Sequence, residues 1–524
     1  MRKLVDDLVE TLSPGMALRR REARMKLEAL DSLSGGGYGK HGASRKKRSM
    51  FRWQSGGGDP DGDITDNLET LRERSRDLYM GGGLAAGAIK TVRANVVGPG
   101  LRLNAQIDSE YLGFSDEEAR RWERQTEREF SLWAESPLCD AARICDFYGL
   151  QRLAFLSFLM NGDVFVPLIM QESSRLPYAL RVRLLEGDVV CNPENIPPDR
   201  DIRGGVEVDE NGAPVAYWIC KAHPKSTTST SSAIRRRYQW ERWPAYGERS
   251  GRRNILHLMD PERINQRRGT PFLAPVIEDL KQIARYTEAE LMAAVVNGFL
   301  TVFITSEKPE GMESFLGEGA PVDDPQAMEL GTGTVLSLEP GEKVQTVDSK
   351  RPTVAFDYFV TAMSRQIGAA LGLPYEVLVK HFTSSYSASR GALLEAWKFF
   401  KVWRFWFSGA FCQPIYEAWL EEAVASGRIW APGFFDDPVI RKAYCGTMWH
   451  GPSQGQLNPV QEVNAATERV NQGFSTRAQE TAELTGGDWD RNHRQRVAEE
   501  KARREGGLVE TGRDKLGSSA RNKS

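Results

Sequence analysis

The pattern of apolar residues predicts a chain that alternates between helical and strand-forming regions. Between residues 114 and 133 the apolar side chains recur at helical spacing, and Ser115 can cap the first turn. A second, more apolar helix is predicted from Asp146 to Met160. Strands are predicted at 164–170, 178–185, 206–208 and 215–220, and the last two flank Asn211-Gly212, a dipeptide typical of tight hairpins. These elements predict an α+β region from residue 60 to residue 265.

Beyond Pro271 the apolar pattern takes the 3.6-residue period of long helices. One stripe from Leu273 to Val295 predicts a rod of about 24 residues, roughly 36 Å long at 1.5 Å per residue. Residues 334–338 and 343–347 then flank Pro340-Gly341, which suits a type II turn between two strands. Two further helices are predicted at 353–371, which ends before Gly372 and Pro374, and at 387–426, with a kink near Pro414.

An aromatic stripe runs along the last of these helices. Trp397, Phe400, Trp403, Phe407 and Phe411 recur at spacings of 3, 3, 4 and 4 residues, which places them on one face. A stripe with this spacing is typical of a packed core or an interface, and a platform for stacking bases is the alternative. We therefore predict that Trp397, Trp403 and Phe407 are packing or interface residues.

Composition and charge narrow the class of protein. The chain has 69 Lys and Arg against 71 Asp and Glu, which excludes a uniformly basic nucleic-acid coat protein. A hydrophobic fraction of 40% excludes global disorder. Bases are concentrated in residues 1–53, in 225–253 and from 491 onward, and we interpret these segments as mobile. Contact with nucleic acid or an acidic partner is the alternative for the N-terminal arm.

The sequence also bears on compartment. The six cysteines form no C-x-x-C pair, which favours free thiols in a reducing compartment. The longest apolar stretch, 291–304, has 14 residues, fewer than the ~20 that span a membrane. Asp6, Asp7 and Glu10 interrupt any signal-peptide core. We therefore expect neither membrane association nor export by the general route.

A search for catalytic motifs finds no convincing match. Gly39-Lys40 is followed by His41 where a phosphate-binding loop needs Ser or Thr. Residues 451–455 fit the string G-x-S-x-G around Ser453, but Pro452 and the later Asn458-Pro459 predict irregular backbone instead of an immediate helix. The six histidines lack the spacing of metal ligands. We therefore predict a protein that is not an enzyme and needs no cofactor or metal.

Several short segments resemble the lambda-type portal proteins of tailed bacteriophages. Each segment is short, but their order and spacing between residues 65 and 500 are together specific. The segments are 96–100, 205–209 with Ala216-Tyr217, His257 with 266–271, 273–275, 371–376, 386–395, and 451–455 with 458–460.

This resemblance implies an α+β chain with the phage portal fold in a ring oligomer. The family fold has an α/β wing, a helical stem, a small β-containing clip and a helical crown. We expect a mobile basic N-terminal arm at 1–60 and an α+β wing at 61–270 with a flexible insert near 225–253. The stem helix and clip are expected at 271–350, the channel region and long aromatic helices at 351–445, and a crown-like helical region with a basic tail at 446–524.

The resemblance also implies a function and partners. Portal proteins form a ring, usually of twelve subunits, at one capsid vertex, and double-stranded DNA is packaged and ejected through its channel. The ring nucleates head assembly in the host cytoplasm and remains in the virion. The implied partners are other copies of the chain, the terminase large subunit, the major capsid or scaffold protein, a head-completion or tail adaptor, and DNA bound without sequence preference.

One pair of bases is a candidate contact for DNA in the channel. Lys350 and Arg351 precede the helix predicted from Thr353, and portals of this kind carry a mobile loop ahead of the corresponding helix. Both side chains can attract phosphates without reading sequence. The alternative is an ordinary solvated turn.

Two other classes of function stay open at this point. A nucleic-acid-processing or maturation enzyme of a phage would need a converging acidic site or a Ser/His/Asp site. A scaffold or adaptor without a channel would differ from a portal in the shape of its particles.

Overall fold

The computed structural model describes residues 56–196, 199–227, 238–298, 302–306, 342–346, 355–382, 385–456 and 458–508, with some positions between 13 and 26. The chain divides into two units, Met1–Asp59 and Pro60–Ser524. In the first unit, several positions between 15 and 26 are helical, where the sequence predicted a mobile arm. This stretch is rich in Ala, Leu, Arg, Met and Glu, which are strong helix formers.

In the described part of the second unit, helices combine with four small sheets, so the predicted α+β class is confirmed. Its helices are α1 (Pro60–Asp63), α2 (Leu68–Gly81), α3 (Gly83–Val96), α4 (Ser109–Leu112), α5 (Asp116–Ala134), α6 (Phe147–Asn161), α7 (Ile277–Gly298), α8 (Ala355–Ala370), α9 (Tyr375–Val379), α10 (Tyr386–Phe407), α11 (Gln413–Ala425), α12 (Pro438–Tyr444), α13 (Pro459–Asn471), α14 (Arg477–Thr485) and α15 (Trp489–Glu505). Its strands are β1 (Arg102–Ala105), β2 (Asp163–Met170), β3 (Leu180–Val182), β4 (Leu185–Glu186), β5 (Asp201–Arg203), β6 (Val206–Val208), β7 (Pro214–Cys220), β8 (Trp240–Pro244), β9 (Ile255–Met259), β10 (Val302–Ser306), β11 (Glu342–Thr346) and β12 (Thr447–His450).

Strand β2 organises the central sheet. It pairs antiparallel with β3, β4 and β9, and the register aligns Phe165 with His257. A second sheet has the antiparallel order β5-β6-β7-β8. In this sheet Asp209, Asn211 and Gly212 form the turn between β6 and β7, which confirms the predicted hairpin. Two antiparallel pairs complete the set: β1 with β12, and β10 with β11.

Local sequence explains the helices that enclose the main core. Ser115 and Glu118 form a capping box at the start of α5, as the sequence predicted. Asp146 caps α6, and Gly162 ends that helix with a positive φ of 86° before β2 begins. Trp133 of α5 is fully buried, and its Nε1 donates a hydrogen bond of 2.9 Å to the Leu180 carbonyl in β3. These contacts join the helical layer to the central sheet.

The predicted helix at 387–426 is two helices with a π-helical turn between them. Helix α10 ends at Phe407, the turn covers Ser408–Cys412, and α11 begins at Gln413. Pro414 lies in the first turn of α11, directly after the π-helical turn, and has no N–H to donate to that turn. The backbone hydrogen bonding therefore changes just before Pro414, and the predicted kink itself stays a prediction.

Two segments that we interpreted as mobile contain regular structure, and one predicted strand pairing stays a prediction. The segment 225–253 contains β8, because Trp240–Pro244 pairs with β7 and completes the second sheet. The tail beyond residue 491 lies first in helix α15. The Asp488 side chain caps the N-terminus of this helix by accepting hydrogen bonds from two backbone N–H groups. Strand β11 pairs with β10 at 302–306, and the partner proposed at 334–338 lies outside the described residues. Among the helices that the structure describes, none is long and apolar enough to cross a membrane.

Candidate functional site

The three aromatic residues predicted to be packing anchors lie on one side of α10. Phe407 is fully buried, and its ring lies 5.2 Å from that of Phe155 in α6. Trp403 is half-buried and contacts both Phe155, at 5.9 Å, and Phe158, at 5.3 Å. Trp397 is nearly buried, and the Arg404 guanidinium lies 5.2 Å from its ring. All three therefore pack within one chain, and a role in a subunit interface stays a prediction.

Lys350 and Arg351, the candidate DNA contacts, lie outside the described residues. The described elements on either side are β11 and α8. Helix α8 packs on the long helix α7, where the Tyr286 ring stacks on Phe356 at 5.5 Å and meets Phe359 edge-on at 4.7 Å. For these two candidate bases, the structure therefore shows only the elements that precede and follow them in sequence.

The helix α7 leaves apolar side chains in contact with solvent. Its first turns are anchored in the core through Leu280, which is buried. Further along, Leu291, Met292 and Val295 are exposed, as is Tyr358 on α8. Three exposed apolar side chains within five residues of one helix make this part of α7 a candidate contact surface.

A buried ionic cluster holds the centre of the fold together. Asp163 is completely buried at the start of β2, and its carboxylate accepts hydrogen bonds from Arg72 Nη2 and Arg268 Nε, both 2.6 Å long. His257 Nε2 lies 3.4 Å from Asp163 Oδ2. Arg268 also donates to the carbonyls of Val190, Gly187 and Gly204. One carboxylate thus connects α2, β2, β9 and the loops beside them.

Burial and charge act in opposite directions on the cluster. Burial by itself would raise the pKa of Asp163, but Arg268 and Arg72 hold that pKa well below its usual value. Burial lowers the pKa of His257, and the neighbouring Asp163 carboxylate offsets only part of this decrease. The cluster therefore contains an ionised Asp163 held by two arginines, an arrangement that serves structure.

Two of the segments that carried the family resemblance, 96–100 and 451–455, meet in space. Gly98, with a positive φ of 57°, lies directly against the Pro452 ring, so a Cβ at position 98 would collide with it. Arg404 ties the same region to α10, because its guanidinium donates to the carbonyls of Asn95 and Val96 at 2.7 and 3.0 Å. Gly269 similarly packs against the backbone of Gly162. These short motifs are joints between elements that are distant in sequence.

The same packing argues against the G-x-S-x-G string as a nucleophile elbow. Ser453 follows β12 through an irregular segment, and α13 begins only at Pro459. An elbow places its serine on a sharp turn that leads directly into a helix. The backbone around Ser453 therefore does not have the shape of a nucleophile elbow.

One set of side chains has the composition of a metal site but does not fit one. Ligand atoms of Glu186, Asp188 and His223 lie within 4.8 Å of one another. Both oxygens of Asp188, however, accept hydrogen bonds of 2.6 Å from Arg76 Nη2, and His223 Nδ1 accepts one of 3.1 Å from the Lys225 N–H. An ion would have to displace the guanidinium, so we assign no metal to this set.

Sequence reasoning missed the ionic cluster. Asp163 opens an otherwise apolar strand, and a charge in that position was the available signal. Arg268 lies in the segment 266–271, which was noted for its family resemblance and not for its chemistry. The partner Arg72 lies in an amphipathic helix, where a buried arginine looks like any surface base.

The amino-acid sequence matches a known protein family over most of its length. The family model described as "Phage portal protein, lambda family" matches residues 46–404, which is more than half of the chain. Portal protein B of Escherichia phage lambda is 26% identical over 496 residues, covering 90% of this chain and 90% of that protein. The portal protein of Escherichia phage N15 is 25% identical over 511 residues, covering 93% of each.

Solved structures give weaker similarities over most of the chain. A chain from the neck of a native GTA particle has a TM-score of 0.42 at 13% identity, covering 80% of this chain and 93% of that chain. A chain from the neck of an empty GTA particle also has a TM-score of 0.42, at 14% identity, covering 79% and 92%. The assignment rests on the sequence matches. The resemblance in the motifs is confirmed, and the chain belongs to the lambda family of phage portal proteins.

Proposed function

We propose that this portal protein assembles into a closed ring of identical subunits at one capsid vertex, and that double-stranded DNA enters and leaves through the ring. Twelve subunits is the number that the family resemblance implies. The observation that carries the proposal is the exposed apolar surface of Leu291, Met292 and Val295 on α7, in a chain of the portal family. Identical neighbours around a rotation axis can cover this surface in every subunit at once.

A ring of this kind has to let DNA slide. Hydrogen bonds to base edges would create sequence-dependent traps, so the contacts suited to a channel are those to phosphates. We place Lys350 and Arg351 in this role, ahead of α8. The proposed partners outside the ring are the terminase large subunit, the capsid or scaffold protein, and a head-completion or tail adaptor. The role is structural, and we propose no reaction catalysed by this chain.

Particle shape tests the proposal. Negative-stain images of the purified protein should show rings with a central opening, and mass photometry should give one closed oligomer at micromolar concentration. The double variant Leu291→Ser/Met292→Ser should shift the protein toward monomers. Met80→Ser/Leu132→Ser, which changes exposed apolar residues on other helices, is the matched control and should assemble normally. Only monomers and dimers of the parent at moderate salt would contradict the proposal.

The competing enzymatic function has a simple test. A nuclease assay with magnesium and linear double-stranded DNA should show no cleavage above a buffer control. Cleavage that follows the purified ring through chromatography would favour the processing enzyme over the portal.

A further inference from the structure

The C-terminal helices α14 and α15 form an open cleft whose lining includes four Lys and Arg side chains. Arg477 contributes from α14, and Arg496, Lys501 and Arg504 contribute from one face of α15. The cleft encloses about 790 Å³ and contains a single acid, Glu500. Neither the proposed ring contact on α7 nor the proposed channel contact at Lys350 and Arg351 involves this surface.

Helix α15 is unusual because its own chain gives it little to pack on. None of its residues is buried, and charged side chains occur on all sides. A helix that is polar all round gains no stability from a core of its own. Its first turns lie near α5, where Asp488, Asp490 and Arg494 face Glu123 and Glu127 across a small cavity. The basic face begins beyond this attachment, at Arg496.

Few carboxylates of the described residues compensate the cations of the cleft. Glu500 is engaged by Arg503, whose Nη1 lies 3.1 Å from its Oε1. Lys501 has only Glu505 at 3.9 Å, in a pair exposed to solvent. Among the described residues, no carboxylate lies within 4.0 Å of the Arg477, Arg496 or Arg504 guanidinium. Three arginines are therefore available to bind an anion from outside.

The spacing of the bases fits a repeated anion. From residue 496 to residue 504 the helix rises about 12 Å, at 1.5 Å per residue. Phosphates on one strand of DNA follow one another every ~3.4 Å along the duplex axis, so this row spans about three of them. The rings of Trp489 and His493, which also line the cleft, stack with their centroids 4.8 Å apart.

We propose that the α14–α15 cleft binds the phosphate backbone of double-stranded DNA without reading base sequence. An acidic peptide has the same charge, but peptide partners are usually anchored by apolar side chains in buried pockets. The apolar lining of the cleft is limited to the half-exposed Val497 and to Trp489, whose ring already stacks on His493. The inference rests on the proposed function, which brings DNA to this protein, and it adds a specific contact surface outside the Lys350–Arg351 segment.

Salt-dependent DNA binding tests this inference on the full-length ring. A fluorescent 24-base-pair duplex is titrated with the parent and with Arg496→Ala/Lys501→Ala/Arg504→Ala, between 50 and 300 mM NaCl. The triple variant should bind at least about tenfold more weakly at low salt. The slope of log K against log salt should fall by about 2.7, because each lost phosphate contact contributes ~0.9. Duplexes of different sequence should give the same result.

A matched variant controls for net charge. Arg121→Ala/Lys398→Ala/Lys442→Ala removes three bases that are 71%, 76% and 76% exposed elsewhere on the chain, and it should leave the slope close to that of the parent. Mass photometry on each variant verifies the ring. If the triple variant does not assemble, Arg496→Gln/Arg504→Gln is compared with Arg496→Lys/Arg504→Lys, and only the lysine pair should keep the parent slope.

Two results would overturn the inference. One is an intact ring in which the triple variant binds DNA with the affinity and slope of the parent; the ring proposal would survive that result. The other is a parent ring that ignores DNA but binds a fluorescent poly-glutamate peptide through the same three bases, which would identify an acidic protein segment as the ligand. Loss of the slope in the lysine pair would equally contradict a phosphate contact.

Discussion

Asp163 and Arg268 are 105 residues apart in sequence, and Arg268 Nε donates a hydrogen bond of 2.6 Å to Asp163 Oδ2 in the interior of the protein. Both side chains are almost completely shielded from solvent, and Arg72 binds the other carboxylate oxygen. The carboxylate is the charged hydrogen-bond partner that both guanidinium groups share, so the three residues depend on one another for stability. The first prediction follows from this dependence.

Replacing Asp163 by Asn should destabilise the fold severely. The substitution keeps the shape of the side chain but leaves two buried guanidinium groups without their carboxylate, which we expect to cost about 3–5 kcal/mol. Asp116→Asn is the control, because its pair with Arg120 is solvent-exposed at 3.9 Å and should contribute less than about 1 kcal/mol. Chemical denaturation followed by tryptophan fluorescence compares the two. Equal stability of both variants would show that the cluster contributes little.

Two phenylalanines on α10 provide a matched test of the aromatic stripe. Phe407 is fully buried and Phe405 is 83% exposed. Phe407→Ala should lower the free energy of unfolding by about 3–5 kcal/mol, since it leaves a cavity in the core. Phe405→Ala should change it by less than about 0.5 kcal/mol. Trp403→Ala should fall between them because its ring is half-buried. A folded Phe405→Ala chain that fails to form rings would instead locate a subunit contact at that residue.

The junction between α5 and the start of α15 should make stability depend on pH. Burial raises the pKa of Glu127 to about 7, helped by Asp488 and Glu123 and opposed by a hydrogen bond from the Ala105 N–H. The folded protein therefore binds the proton on Glu127 more tightly than the unfolded chain does, which stabilises the fold at low pH. This contribution to stability is lost as the pH rises from about 4.5 through about 7. Between pH 5 and 8 the ionisation should cost about 1–3 kcal/mol.

Glu127→Gln tests this pH dependence, since the amide oxygen can still accept the Ala105 hydrogen bond. The thermal midpoint of the variant, relative to that of the parent, should rise between pH 5 and pH 8. Glu117→Gln changes an 85% exposed carboxylate on the same helix and should run parallel to the parent throughout. A Glu127→Gln curve that also stays parallel would remove Glu127 as the source of the effect.

The double variant Lys350→Ala/Arg351→Ala tests the proposed channel contact. Ring assembly should be unchanged, whereas packaging or retention of DNA in an in vitro head-assembly assay should weaken, because two phosphate contacts are lost. The size of the defect should depend on the salt concentration and should be the same for DNA of different sequence. Arg121→Ala/Lys398→Ala supplies the control of equal charge. Wild-type retention at both low and high salt would place the two bases in an ordinary solvated turn.

Much of the local structure could be predicted because its causes are local. The capping box of Ser115 and Glu118 starts α5, and Asn211-Gly212 turns the chain between β6 and β7. In both cases the signal and the hydrogen bonds that it produces lie within a few residues. The predictions failed where a segment depends on a distant partner. Strand β8 lies in a basic, serine-rich stretch and exists because β7 offers an unpaired edge.

The α+β class, the long amphipathic helix α7 and, through the spaced motifs, membership of the portal family could all be recognised in the amino-acid sequence. The contacts of Asp163 with Arg72 and Arg268, the packing of Gly98 on Pro452, and the alignment of the α15 bases along one open cleft became visible only in the folded chain. The two groups differ in how far apart the interacting residues lie along the chain. Helix caps, turns and amphipathic periodicity are set by neighbours along the chain, whereas the compensation of a buried charge or the collection of surface charges depends on which distant segments fold together.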